Sequence, residues 1–464
     1  MKIAKLNLFD FTMIVVSLVI GMGIFRTPIN VANNAYSPWM FFSVWLLGGL
    51  VALCGALTYA EIGSRLPVTG GYYKIFSYAY HPSIAFAINC VILVSNAASL
   101  AGVAIIGGEY ITGILIPASK DPQWIKDVAN AASVQTLQIV IAISCIIIFY
   151  GINLLGLKMS ARTQNVLMVI KISLVVLLIT PLFFSDYAPS LPATGTATNP
   201  VFLEYLKAFG IGLVGVSFTY GGYQQTINFG AEVNDAKRTI PRGIFFGIFI
   251  IILLYLSINY AYIKVIGFEQ LKTSKNIAAI MAGKVFGEYG ERIASVVLFL
   301  SVMAYVNILL MSNPRVMAAM SEDKILPTNF RKRHFRTNVL TTSLSVFAGL
   351  CALIVFWAKE FDTILSFSIF LDCFGMILSA GSIFILRKKT AELNGTGIYI
   401  MKWYPLIPLF FILVYSFVAV ILFITQRDLA LIGLGVMAAF LGLYFLVEYF
   451  QKNKTNGKRE STTN

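Results

Sequence analysis

Apolar residues along this chain neither alternate nor keep to one helical face; they run on in blocks of about twenty or more, separated by short polar stretches. The blocks fall at about 10–33, 39–63, 83–116, 134–153, 163–185, 203–230, 241–266, 293–319, 338–357, 363–386, 404–425 and 429–450. A helix needs roughly 20 apolar residues to cross the hydrocarbon core of a bilayer. The pattern therefore predicts an all-α polytopic membrane protein with twelve transmembrane helices, a short leader at 1–9 and a polar tail from Gln451 to 464, expected to be disordered.

Two blocks are interrupted. Gly21-Met22-Gly23-Ile24 lies inside the first, and Phe218-Thr219-Tyr220-Gly221-Gly222-Tyr223 lies about 200 residues later inside the sixth. Closely spaced glycines weaken a helix at a depth where water cannot replace the lost hydrogen bonds, so something else must use those backbone groups. Paired breaks at matching positions of two halves point to the substrate site of a transporter. At the first break an outer half-helix would begin with free N–H groups and an inner one would end with free carbonyls. Together they suit the carboxylate and the ammonium of a zwitterion. Close packing of helices on small residues is the other reading of such glycines.

Further landmarks share the same offset of about 200: Pro38 with Pro241, and Arg162 with Asp362. Five helices are an odd number, so a second copy enters from the opposite face. The expectation is an inverted repeat of residues 10–186 and 203–388, with two helices at 404–450 added afterwards.

Composition agrees with the membrane reading: 58% of residues are hydrophobic, 12% are charged and mean hydropathy is +0.80. The net charge of +14 does not indicate nucleic acid, because the basic residues sit in short loops and no nucleic-acid motif accompanies them. With both termini on one side, 23 of the 35 Lys and Arg fall on that side and 11 opposite, which places the termini in the cytoplasm. The runs Arg331–Arg336 and Arg387–Lys389 read as topology signals. All five cysteines lie in apolar blocks without metal-ligand spacing, and His81 and His334 stand alone. No cofactor, metal site, structural disulfide or disulfide-linked ancillary subunit is expected. The basic start resembles a signal peptide, but the apolar run is too long and lacks a cleavage site, so it is expected to stay as the first helix.

Two of the charges inside apolar blocks stand out. Lys171, about a third of the way along the fifth, is either functional or snorkels to the cytoplasmic surface near Arg162. Asp372 lies close to mid-membrane in the tenth. Three roles fit it: proton coupling, contact with a polar or cationic substrate side chain, or a structural acid satisfied by hydroxyls such as Ser366 or Ser368.

Several stretches resemble the amino acid–polyamine–organocation superfamily. They are Gly21-Met-Gly-Ile-Phe25, the run from Ala52 through Glu61, Arg65 and Pro67 to Gly70-Gly71-Tyr72, and Ser312-Asn-Pro-Arg315 through Pro327. Phe218-x-Tyr220-Gly221-Gly222 and Glu232-Val-Asn-Asp-Ala-Lys-Arg-Thr-Ile-Pro241-Arg242 look like its L-type amino acid transporter branch. The resemblance implies the leucine-transporter-type fold, with helices 1 and 6 unwound, and alternating access. It puts a substrate carboxylate on the backbone of Gly21 to Ile24, the amino group on carbonyls near Ile20 and Phe218, and Phe218 above the substrate as an aromatic gate, with Thr219, Tyr220 and Gly221 around it.

Met22 stands where the family has a small hydroxyl residue, and Tyr223-Gln224 where it often has Trp-Asn. Met22, Gln224, Asn307 and Asp372 are thereby the side chains that would choose the amino acid. Asn307 could equally hold helix to helix. Lys171 looks like a stand-in for the sodium ion of related carriers, which implies Na⁺-independent transport, and Tyr255 resembles a family tyrosine reaching the same region. Glu61, Arg65, Glu232, Asp235, Arg238 and Arg315 look like an inner gate or, equally, solvated loop charges. The expected function is therefore a plasma-membrane carrier of neutral amino acids, working by exchange or proton-linked uptake, and not an enzyme. A cationic amino acid or polyamine carrier, or a non-transporting nutrient receptor, is the alternative.

Overall fold

Capping residues set where helices begin. Asn7 and Asp10 form a capping box at the start of α1 (Leu8–Val19), and Ser37 accepts the Met40 N–H, with Pro38 in the first helical position of α3 (Pro38–Arg65). Between them lies α2 (Gly23–Asn34). The computed structural model describes residues 5–21, 23–115, 131–184, 201–274, 277–357 and 361–460. The remaining elements are α4 (Gly71–Ala79), α5 (Pro82–Leu115), α6 (Ala131–Leu154), α7 (Leu157–Ile179), α8 (Pro181–Phe184), α9 (Phe202–Tyr220), α10 (Ala236–Val265), α11 (Phe268–Thr273), α12 (Ile277–Glu322), α13 (Thr341–Trp357), α14 (Phe361–Lys389), α15 (Leu406–Thr425) and α16 (Arg427–Glu460), with short 3₁₀ turns between some of them.

Among the described residues there is no strand, only the isolated bridges Leu6–Val233 and Thr69–Phe229. Eleven spans are long and apolar enough to cross a membrane, the first of them being α1 and α2 together, and Thr341–Phe356 is a shorter apolar helix. This is a multi-pass membrane protein. Two differences from expectation stand out. The eighth block belongs to a longer element, α12, broken by Gly287 at φ +72°, a backbone conformation that glycine adopts without strain. The tail expected to be disordered from Gln451 continues as helix to Glu460, carried by good helix formers among its Gln, Lys, Arg and Glu residues.

The core is one continuous apolar cluster. At its centre α5 is buried around almost its whole circumference, packed by α12 and α14, while α16 turns most of its apolar surface outward, as a helix facing lipid should. Helix α3 lies against α9 and α10.

On the face that carries the N-terminal segment the connections meet one another. Leu6 N–H donates to Glu232 O (2.7 Å), Lys74 reaches Asp323 (2.5 Å), Lys389 reaches Tyr78 O (2.8 Å) and Lys237 reaches Thr396 O (3.4 Å).

Close approach of α3 to its neighbours depends on Gly55. A Cβ there would overlap the Tyr223 hydroxyl and lie 2.6 Å from Phe411 Cε2, whereas one at Gly113 would meet nothing within 4 Å. Overpacking of a dense core costs about 1–3 kcal/mol. Gly55→Val should therefore lower the melting temperature of the purified protein by several degrees, while Gly113→Val leaves it within experimental scatter; equal melting curves would show that the α3 packing is not tight.

Candidate functional site

The first interrupted block is two helices in the structure. Helix α1 stops at Val19, with the Ile20 N–H donating to Val16 O (2.8 Å) and the Gly21 N–H to Val19 O (2.7 Å), and α2 starts at Gly23. The first-turn N–H groups at Gly23, Ile24 and Phe25 have no acceptor within their own helix. On the other side of the break two carbonyls are taken by side chains from distant helices. Lys171 of α7, completely buried, donates from Nζ to Ile20 O at 2.5 Å, and the Tyr255 hydroxyl of α10 donates to Val19 O at 3.1 Å. Lys171 thus points into the protein at the break and does not snorkel.

The second break lies against the first. Helix α9 ends at Tyr220, with the Gly221 N–H on Phe218 O (3.1 Å), and the same Tyr255 hydroxyl reaches Thr219 O (3.2 Å). One phenol therefore spans both interruptions. Gly222, at φ +108°, gives its N–H to Gln224 Oε1 (2.9 Å), and a Cβ there would overlap Leu18 O. Gly23 is equally constrained, since a Cβ would sit 2.6 Å from Thr219 Oγ1. That hydroxyl also reaches Thr27 Oγ1 (2.9 Å).

A small cavity of about 60 Å³ opens between the two breaks. Of the residues singled out in the sequence, Gly21, Gly23, Phe218, Thr219, Gly221, Gln224 and Asp372 line it. Ile20 and Ile24 are buried behind it, Tyr220 packs on Trp45 and Tyr255 with ring centroids 6.0 and 5.0 Å away, and Met22 lies outside the described residues. Asn307 is not among the lining residues. Its amide bonds Gln164 Oε1 (2.6 Å) and Ser160 O (3.2 Å) and accepts from Asn153 Nδ2 (2.9 Å), so it holds α12 to α6 and α7. Gln164 in turn donates to Ser17 Oγ and to Ala304 O (3.1 Å).

The lining also contains side chains that sequence reading passed over. Ser95, Asn96 and Ser99 of α5 face the cavity, with Gln225 and Tyr305 beside them. Ser99 shares a hydrogen bond with the Tyr305 hydroxyl (2.8 Å), and Asn96 accepts from Gln225 Nε2 (3.0 Å) while donating to Asn313 Oδ1 (2.7 Å). Ser95 is the hydroxyl that engages Asp372. Ser368 Oγ, by contrast, is buried without a partner among the described residues, and the Ser366 side chain lies outside those described. The available signal was polar residues at i, i+1 and i+4 in an otherwise apolar block.

Beyond the cavity, on the face of the N-terminal segment, the charges form two clusters. Glu61, fully buried, takes Arg65 Nε (2.8 Å), Arg387 Nε and Nη2 (2.9 and 2.7 Å) and the Met401 N–H (2.9 Å). Glu232 takes Arg315 (2.6 Å) and, at 3.7 Å, Arg333. Asp235 and Arg238 stand 4.0 Å apart, well exposed, and join neither cluster.

A family model described as "Amino acid permease" matches residues 6–446. The chain belongs to that family. It is similar to the serine/threonine exchanger SteT of Bacillus subtilis, with 27% identity over 441 residues that cover 94% of each chain. It is also similar to the human large neutral amino acids transporter small subunit 2, at 24% over 449 residues (94% of this chain, 79% of that one). The mouse Asc-type amino acid transporter 1 shares 23% over 451 residues (95% and 81%). This is the L-type branch of the amino acid–polyamine–organocation superfamily, a family of carriers and not of enzymes.

Two substitutions test the site. Gly23→Leu should abolish uptake while leaving membrane insertion intact, and normal uptake would remove the substrate from the first break. Lys171→Ala deletes a buried charge-assisted hydrogen bond, worth about 1.5–3 kcal/mol or roughly ten- to hundredfold in an equilibrium. Its uptake rate should fall by that order, and wild-type flux would mean that Ile20 O needs no cation.

Proposed function

We propose that this permease is a plasma-membrane secondary carrier that exchanges neutral amino acids by alternating access, without sodium. Twelve spans, in two inverted sets of five with two helices added, are part of the same reading, as are cytoplasmic termini. The observation that carries the proposal is the paired break, with first-turn N–H groups at Gly23 to Phe25 that have no acceptor in their own helix and Lys171 and Tyr255 anchored on the carbonyls facing them. A substrate carboxylate would sit on the N–H groups, where the start of α2 favours negative charge. Its ammonium would sit near the carbonyls of the two breaks, and Phe218 would cover it.

Lys171 Nζ, on Ile20 O at the break, stands where a sodium-dependent relative would need an ion, which supports sodium independence. Among neutral substrates the small cavity and its hydroxyl and amide lining (Ser95, Asn96, Ser99, Gln224, Gln225) favour a small polar side chain. The kinship with a serine/threonine exchanger agrees. The five cysteines lie within helices and not in the connections, which supports a carrier without a disulfide-linked ancillary chain, although one relative is named a small subunit.

Asp372 carries the second reading. It faces the cavity, Ser95 is the hydroxyl it engages, and no cation pairs with it among the described residues. Proton-linked uptake, or recognition of a cationic side chain or polyamine, would each use such a carboxylate.

One experiment separates these roles. Purified carrier in liposomes should exchange labelled serine against unlabelled serine, threonine and alanine with or without a proton gradient, and arginine and putrescine should not compete; competition by either would favour the cationic reading. Asp372→Asn should flatten the pH profile if the carboxylate couples protons, and an unchanged profile with altered selectivity would assign it to the substrate.

A further inference from the structure

A second, larger cavity of about 440 Å³ lies on the face that carries the N-terminal segment, apart from the residues that line the central site. Three pieces of chain enclose it: the α6–α7 connection at Leu155 to Lys158, the end of α12 at Leu310 to Arg315, and the α12–α13 connection at Arg333 to Leu340. The last includes Arg333 and Arg336 of the basic run that the sequence explained only as a topology signal.

Its charge is one-sided. Lys158, Arg315, Arg333 and Arg336 line it against a single carboxylate, Glu232. Glu232 is already taken by Arg315 at 2.6 Å, and Arg333 shares it at 3.7 Å while also donating to Asn338 O (3.2 Å). Lys158 and Arg336 meet no carboxylate among the described residues; Arg336 instead lies over the Phe335 ring, 5.1 Å from its centroid. Gly156, at φ +108°, brings the start of α7 against the opposite wall, where a Cβ would be 3.1 Å from Thr337 O. The 23-residue helix α7 has no side-chain cap, so its first-turn N–H groups add donors beside Lys158.

Donors and cations thus converge on a roomy cavity whose one carboxylate is already engaged. Charged loops that only set topology can splay into water; these three instead wall a common concavity. Guanidinium, ammonium and amide N–H groups converging in this way suit an anion with several acceptor oxygens and more than one charge. Basic pockets between transmembrane helices at a membrane face are recognised by lipid headgroups for the same reason.

We infer that this cavity is a regulatory site for a phosphate-bearing anion, either an anionic phospholipid headgroup or a soluble phosphate. An occupant would compete with Glu232 for Arg333 and so loosen the second charge cluster, speeding opening toward that face. The inference stands whichever amino acid the carrier takes.

The test uses the full-length carrier and its Lys158→Gln/Arg336→Gln double variant. Thermal unfolding in neutral detergent is followed against inorganic phosphate, with sodium chloride at matched ionic strength. Amino acid exchange is followed in phosphatidylcholine vesicles with and without phosphatidylglycerol. A saturable rise in melting temperature with phosphate but not with chloride would identify a soluble anion. Faster exchange only with phosphatidylglycerol would identify the headgroup. In either case the double variant should lose the response while exchanging normally in phosphatidylcholine. No response to either probe, an equal effect of chloride, or a double variant that responds like the wild type would overturn the inference.

Discussion

The structure depends on one hydrogen bond between a buried ammonium and a main-chain oxygen: Lys171 Nζ on Ile20 O. A helix broken inside a membrane leaves carbonyls that lipid cannot satisfy, each at a cost of several kcal/mol, and a lysine buried in the same place has a comparable problem. Each is the other's solution. The pair holds the end of α1 to α7, while Tyr255 ties the same end to the break in α9. With the carbonyl side braced, the N–H groups at the start of α2 are the donors left for a ligand. The start of α2 carries the positive end of its helix dipole, which favours a negative group there.

Moving parts can be assigned from the same contacts. Below the break, α1 is held to α7 and α12 through the Ser17–Gln164 and Gln164–Ala304 bonds, and Asn307 continues that ladder to α6. On the face of the N-terminal segment two separate acids gather the cations, Glu61 taking Arg65 and Arg387 and Glu232 taking Arg315 with Arg333 nearby. Exchange between open and closed forms then requires that these few polar contacts be remade, because the surrounding apolar packing is non-directional and can slide.

Much of this was legible in the sequence, and the limits have physical causes. Breaks at Gly21–Gly23 and Gly221–Gly222 could be read because the two pairs recur about 200 residues apart; a glycine pair alone says little, since Gly48-Gly49 and Gly107-Gly108 lie within the unbroken helices α3 and α5. Lys171 and Asp372 could be read because a charge inside a membrane span is conspicuous. Ser95, Asn96 and Ser99 left only the weak signal of their i, i+1, i+4 spacing, since serine and asparagine in an apolar helix often bond only their own backbone, as Asn89 does with Ala85 O (2.8 Å). Asn307 shows the reverse: it has the chemistry of a pocket residue, yet its partners are Gln164, Ser160 and Asn153. Which way a side chain faces depends on the rotation of its helix within the bundle, and packing on every side of a buried helix leaves no polar stripe to reveal it. In the sequence the charges at the helix ends read equally as a gate network or as solvated loop charges, and only the three-dimensional positions of Arg387 and Arg333 sort them into two clusters, with Asp235 and Arg238 outside both.

The central claim is that backbone groups at the two breaks read the charged ends common to all amino acids, leaving side chains to read the rest. Competition by serine, serine methyl ester and N-acetylserine against labelled substrate tests it most directly, because the three share a side chain and differ only at those ends. The account predicts that free serine competes and that both capped forms fail, the ester at the N–H groups of α2 and the acetyl form at the opposing carbonyls. Competition by either capped form at a potency near that of serine would contradict it.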